Sequence, residues 1–336
     1  MKGFAYAVLV AGALFLANGL FTGSLISSVS ISPYLLQIMC LAGINIILAV
    51  SLNLINGFTG QFSIGHAGFM AMGAYASAFV TVTFGDRLRA VMSFLPTFAQ
   101  DSAVLLVALA VGGLLAAVAG FIVGVPSLRL RGDYLAIVTL GFGEIIRVLI
   151  LNIDAVGGAR GYTGISKLAN FFWIYLFASL AILVVYRIVH SSFGRTLIAI
   201  RDDEIAAEAM GVDTTRSKVI SFVVSSAMAG IGGGLFAHYL MYLHTNSFTF
   251  IKSIEIIIMI VIGGLGSITG AVLGAVLYIV LTEVLRGFAQ YRMVLFALLG
   301  IVIMRVRPGG ILGHRELSSF FHKRRPLPAS VKPSGA

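Results

Sequence analysis

The chain has 336 residues, 59% of them hydrophobic and 11% charged, with a formal net charge of +10 and a mean hydropathy of +1.01. A soluble domain carries about 25% charged residues, so a water-soluble globule is excluded. Recurrent apolar runs of about 20 residues mean membrane-spanning helices and exclude a barrel of short alternating strands. The positive charge is then read as cytoplasmic Lys and Arg fixing topology rather than as a nucleic-acid surface.

A lone Cys40 leaves no disulfide framework and no thiolate metal cluster, and it is expected to be a small apolar filler. Lys2 followed by the apolar run Phe4 to Phe21 resembles a signal peptide. The run is longer than the usual core of one and no convincing small-residue cleavage site follows, so it is expected to be an uncleaved first span. Further spans are expected at 32–52, 62–84, 103–123, 134–153, 170–190, 219–241 and 288–306.

Two stretches break this pattern with glycine. Asn56 to Tyr75, NGFTGQFSIGHAGFMAMGAY, follows one apolar run. Residues 251–285 form another run, too long for one crossing and short for two, broken by Gly263, Gly264, Gly266 and Gly270. Interrupted segments in corresponding places of two halves point to a transport path built from discontinuous helices, because unwound backbone in a bilayer must be buried in protein or line a wet cavity. Gly60, Gln61, Ser63, His66, Gly264, Gly266 and Ser267 are the candidate path residues. The alternative is close helix packing, which suits Gly65, Gly68 and Gly73 better than the polar group Thr59, Gln61, Ser63 and His66. A His66 bonded to a neighbouring backbone carbonyl is the competing reading for that side chain.

The expected fold is all-α, a polytopic transmembrane helical bundle of about eight crossings plus a broken or re-entrant helix pair, up to roughly ten segments. Residues 1–307 are expected to form the transmembrane domain and 308–336 a basic, unstructured cytoplasmic tail. If 191–218 faces the cytoplasm and the broken segment enters and leaves on one side, both termini lie inside. Of the 23 Lys and Arg, fifteen are then internal and seven external (Arg87, Arg89, Arg160, Lys167, Lys252, Arg286 and Arg292), with only Arg147 in the membrane. Arg147 stands three residues after Glu144. A charge at the bilayer centre costs about 2.5–3.5 kcal/mol on insertion scales, which makes this pair either a functional site or a device that fixes helix register.

Catalytic signatures are missing. No Gly precedes a Lys, so the chain has no Walker A loop, and zinc-protease and serine-hydrolase motifs are missing too. The glycine-rich 157–164 loop does not end as a phosphate loop does. Six scattered His offer no metal spacing, although His238 and His244 could reach the outer surface.

Residues 191–218 hold nine of the 36 charged side chains. Asp202 or Asp203 suits an N-cap, Glu204 suits the positive helix end, and Gly211 suits a stop. The short helix between them has an apolar face (Ile205, Ala206, Ala209, Met210) and a polar one (Glu204, Glu208). Such a helix is marginal alone and is expected to dock on a protein partner. A solvated connector on lipid headgroups is the alternative, but five acidic residues against four basic ones suit anionic lipid poorly.

Residues 194–212, GRTLIAIRDDEIAAEAMGV, closely resemble the cytoplasmic coupling loop of the branched-chain amino acid ABC transporter permeases of the LivM type. TGQFSIGHAGFMAMGAY (59–75), GDYLAIVTLGFGEIIRVL (132–149) and VIGGLGSITGAVLGA (261–275) resemble further signatures of that family, so the likeness runs over 35–307. The resemblance implies a permease subunit of the bacterial inner membrane. It implies a second, LivH-like permease, two cytoplasmic ATPases holding ATP and magnesium, and a periplasmic binding protein, with no cofactor on this chain. It also implies that Arg201, Asp202, Asp203, Glu204, Ala207, Glu208 and Gly211 meet the ATPase. Urea or small carboxylates are alternative substrates within the family. An ion-coupled secondary transporter, with Glu144 as the coupling carboxylate, and a passive channel are alternatives of a different class.

Overall fold

The computed structural model describes residues 32–311 except 95, 129, 131, 289 and 308. The expected first span at 4–21 and the tail from 312 onward lie outside the described residues. Among the described residues, eight helices are long and apolar enough to cross a membrane, and Val294–Ile303 is a shorter apolar one. The β structure among them is one isolated bridge between Tyr162 and Leu243. The chain is an all-α, multi-pass membrane bundle.

Helix α1 (Pro33–Asn53) begins where the Ser32 hydroxyl accepts the Leu35 N–H and Pro33 presets the first turn. All of its residues from Ala42 to Asn53 are buried, as expected of a helix that is apolar all round and therefore central. It runs into a π-helical turn, Leu54–Phe58, and then into seven irregular residues before α2 (His66–Val91). Next come α3 (Thr97–Ser127), α4 (Asp133–Leu151) and α5 (Phe171–Val189). Two short helices, α6 (Ser192–Asp202) and α7 (Glu204–Ala209), lead to α8 (Thr214–Leu240). The chain continues through α9 (Phe250–Gly263), α10 (Ile268–Val284) and α11 (Arg292–Val306). The expected spans correspond to α1 to α5, α8 and α11, and the broken run to α9 and α10.

Small residues set the packing. Gly65 lies on Thr139, Gly68 on Gly143 and Gly73 on Gly230, the close backbone approach that draws membrane helices together in place of a hydrophobic driving force. Helices α9 and α10 form a down-and-back hairpin. Its far end returns to the start of α1, where the Tyr34 hydroxyl bonds the Glu283 carboxylate and accepts from Arg286. After α11, the Ile311 N–H donates to the Ile262 carbonyl at 3.0 Å and Gly310 lies against Gly264. The first residues of the segment read as tail are thereby held on the α9–α10 turn.

One helix was not foreseen and two sequence expectations are corrected. Ser192–Asp202 form α6, an amphipathic helix N-capped by the Ser191 hydroxyl that buries Gly194, Leu197 and Ile200. His238 does not reach a surface. It is fully buried, bonded to the Gly234 carbonyl and the Thr81 hydroxyl. Lys252, counted as an external charge, stands inside α9 with its ammonium 3.4 Å from Asn45 Oδ1, halfway along the span Pro33–Phe58. Phe250, which starts α9, is bonded to Glu144, the twelfth of the nineteen residues of α4, so α9 begins well within the bundle rather than at its rim.

Candidate functional site where two helix breaks meet the charged loop

The two glycine breaks touch each other. Asn53, at the end of α1, donates from Nδ2 to the Ser267 carbonyl at 2.9 Å and accepts the Gly266 N–H on Oδ1 at 3.0 Å. A methyl group on Gly57 would overlap both Asn53 Oδ1 and the Gly266 nitrogen. One buried asparagine thus clamps both interruptions across 213 residues of sequence.

The unwound backbone is satisfied by named partners, as lipid depth requires. In the first break, Thr59 N–H donates to the Leu54 carbonyl and Gln61 N–H to that of Ile55. Asn56 holds Ser63 from both sides, accepting its N–H at 3.1 Å and donating to its carbonyl at 3.3 Å. Ile64 N–H reaches the Thr139 hydroxyl, and Ala67 N–H the Ser253 hydroxyl at 2.9 Å. The His66 Nε2 lies 2.9 Å from the Ser51 hydroxyl, and the ring also bonds the Leu48 backbone, which fits the reading of a histidine held by a neighbouring carbonyl. In the second break the Ser267 hydroxyl caps α10 by accepting the Gly270 N–H.

Of the candidate path residues, Gln61, Ser63, His66, Gly264 and Ser267 are buried, Gly266 is half-buried and Gly60 is exposed. Gly60 and Gln61 line a cavity of about 280 Å³ together with Arg201, Asp202, Asp203 and Glu204. Two groups of residues singled out separately in the sequence therefore share one opening. Arg201 bridges them: its Nη1 donates to the Gly57 carbonyl at 3.2 Å, while Nη2 and Nε bond Asp202 at 3.0 and 3.2 Å.

Asp203, not Asp202, caps α7, accepting the Ile205 and Ala206 N–H groups at 2.9 and 3.0 Å. Gly211 ends the segment with φ +83°, a left-handed conformation that glycine adopts without a Cβ penalty. Of the polar face of α7, Glu204 is turned inward while Glu208 is exposed. Glu204 Oε2 lies 2.6 Å from Nζ of the fully buried Lys218, and Glu208 accepts from the Thr214 hydroxyl at 2.8 Å. Ala207 is buried beside them, while Ile205 and Met210 are 67% and 84% exposed. The helix thus presents its apolar face outward.

Glu144 and Arg147 are joined at 2.6 Å, and Glu144 Oε1 also accepts the Phe250 N–H at 3.1 Å. A carboxylate here satisfies an N-terminal amide of α9 and complements its dipole, which fits the register-fixing alternative. Sequence reading missed Asn45, Asn53, Asn56 and the pair Lys252 and Glu255. The signal was a run of polar side chains spaced through the apolar stretch from 45 to 56, and two charges three residues apart just ahead of the second break.

The family model described as branched-chain amino acid transport system / permease component matches residues 34–305. The high-affinity branched-chain amino acid transport system permease protein LivM of Escherichia coli K12 is 36% identical over 311 residues, covering 82% of this chain and 69% of that protein. The probable LivM of Methanocaldococcus jannaschii is 26% identical over 86% of this chain and 96% of its own. The Escherichia coli LivH permease is 30% identical over 48% of this chain and 53% of its own. No solved structure matches. Matched over most of its length, the chain belongs to the family of branched-chain amino acid transport system permease components.

Proposed function

We propose that this chain is the LivM-type permease subunit of a bacterial ATP-driven importer for branched-chain or related amino acids. In this reading it lies in the cytoplasmic membrane with both termini inside, beside a LivH-like permease. A periplasmic binding protein delivers substrate, and two cytoplasmic ATPases hold ATP and magnesium. The chain is a transport subunit, not an enzyme.

The observation that carries the coupling step is the hydrogen bond from Arg201 to the Gly57 carbonyl. Closure of the ATPases moves α7 through its outward apolar face. The Glu204–Lys218 pair transmits that displacement to α8, and Arg201 transmits it to the π turn. Asn53 links the turn to the second break, so both interruptions shift together and open a path along the partner permease.

Reconstitution of the chain with its four partner proteins in proteoliposomes tests this reading. Leucine uptake is expected to require ATP and loaded binding protein. Uptake that survives nucleotide depletion and collapses with an ion gradient would overturn it in favour of a secondary transporter; flux that needs neither would mean a channel.

A further inference from the structure

Asn45, Lys252 and Glu255 form a polar cluster at mid-depth that takes no part in the coupling loop or in either break. Lys252 Nζ lies 3.0 Å from Glu255 Oε2 and 3.4 Å from Asn45 Oδ1. Both charged side chains are 20% exposed, and all three line a cavity of about 200 Å³ between α1, α2, α8, α9 and α10. Its remaining wall is largely aliphatic and aromatic, with Leu41, Ile44, Met70 and Phe236. At about 30 Å³ per water, that volume holds roughly six or seven waters, the scale of a small solute.

A charge pair placed here is costly. Desolvating two ions takes several kcal/mol, and well-packed hydrophobic replacements of such pairs are often neutral or stabilising. The other charges near this depth have packing roles: Glu144 caps α9 and is paired by Arg147. Lys252 and Glu255 sit one turn apart on the same helix, and the bond from Lys252 to Asn45 is what ties them to α1. Ionisable groups that line a cavity inside a bundle mark a ligand path by default, and sites built beside broken helices near the midplane are a recurrent transporter device.

We propose that this cavity binds the zwitterionic head of an amino acid in transit. Lys252 takes the carboxylate and Glu255 takes the ammonium. Asn45, whose Nδ2 donates to the Leu41 carbonyl at 3.0 Å, offers its oxygen to the ammonium or its second amide hydrogen to the carboxylate. The aliphatic side chain lies against Leu41, Ile44, Met70 and Phe236. An ammonium and a carboxylate held 3.0 Å apart complement two opposite charges borne on a single carbon, whereas urea has no net charges to match and a carboxylate alone would leave Glu255 opposed. This inference rests on the transport reading above and adds a site to it.

The test uses the reconstituted complex with Lys252→Met, Glu255→Gln and the double variant Lys252→Met/Glu255→Met, measuring co-purification with the partners and the half-saturating leucine concentration for ATP-driven uptake into proteoliposomes. All three are expected to assemble, with half-saturation raised at least tenfold. The double variant carries no uncompensated charge, so it decides the matter if a single variant misfolds. Normal uptake in the single variants, recovery in the double variant, or failure of the double variant to assemble would each assign the pair a structural role and overturn the proposal. A wild-type complex that moves no amino acid would instead overturn the transport reading, and this inference with it.

Discussion

Arg201 Nη1 donates to the carbonyl of Gly57 at 3.2 Å, joining the loop between α5 and α8 to the π turn that ends α1. The same side chain packs on Gly60, whose φ is +72° and on which a methyl group would lie 2.7 Å from Arg201 Cγ. Arg201→Met should leave the bundle folded, because the guanidinium is partly solvated and its bonds are of the order of 1 kcal/mol net. It should nevertheless uncouple hydrolysis from transport, lowering amino acid moved per ATP several-fold. Gly60→Ala should do the same through strain of about 1–2 kcal/mol in the left-handed region. An unchanged transport-to-hydrolysis ratio in both variants would remove Arg201 from the coupling route.

The Glu204–Lys218 pair should respond asymmetrically. Lys218 is 2% exposed and Glu204 20%. Removing the acid strands a buried ammonium, a loss of about 3–5 kcal/mol for a fully buried pair, whereas Lys218→Met leaves a carboxylate that water can reach. Glu204→Leu is therefore expected to lower the melting temperature more than Lys218→Met and to expose 191–213 to protease. Equal effects would mean that the pair is solvated in the working protein.

The spans were legible because a run of some 18 or more apolar residues is what a membrane crossing demands and what a water-soluble fold rarely contains; the sequence narrowed the α7 cap to Asp202 or Asp203 and marked Gly211 as its stop. What could not be read was distance across the sequence. Asn53 is one polar residue in a run, and only the fold shows that its two amide atoms meet Gly266 and Ser267. Lys252 looked external because a charge at the start of an apolar run usually marks the membrane surface. The descent of residues 241–249 into the bundle, which puts Phe250 beside Glu144, leaves no local signal. Helix α6 was hidden by its charges, although Leu197 and Ile200 lie three apart on one face.

Asn53→Ala should destabilise the bundle more than its size suggests. It removes the acceptor of the Gly266 N–H and the donor to the Ser267 carbonyl, at about 1–3 kcal/mol for each buried group left unpaired. Asn53→Asp keeps the acceptor but sets a carboxylate against the Ser267 carbonyl, so it should be no better. Thermal melting in detergent and hydrogen exchange at 264–270 would check this; wild-type stability in both variants would show that the two breaks are held together by packing alone.

Ile205 and Met210 bear on the docking surface itself. At 67% and 84% exposure, neither contributes much to the isolated chain, and surface changes of this kind stay within about 0.5 kcal/mol. Ile205→Glu and Met210→Glu should therefore leave the melting temperature within a degree or two, in line with that small change. The same substitutions should strip the ATPases from the purified complex, since an apolar face carries helix-in-groove affinity and a charge in its centre opposes it. Gly211→Pro should act alike by a different route, because proline cannot take the φ of +83° that turns the chain after α7. Co-purification of ATPases in wild-type amounts with both glutamate variants would show that docking uses another surface, and loss of folding would show that α7 is integral to the bundle.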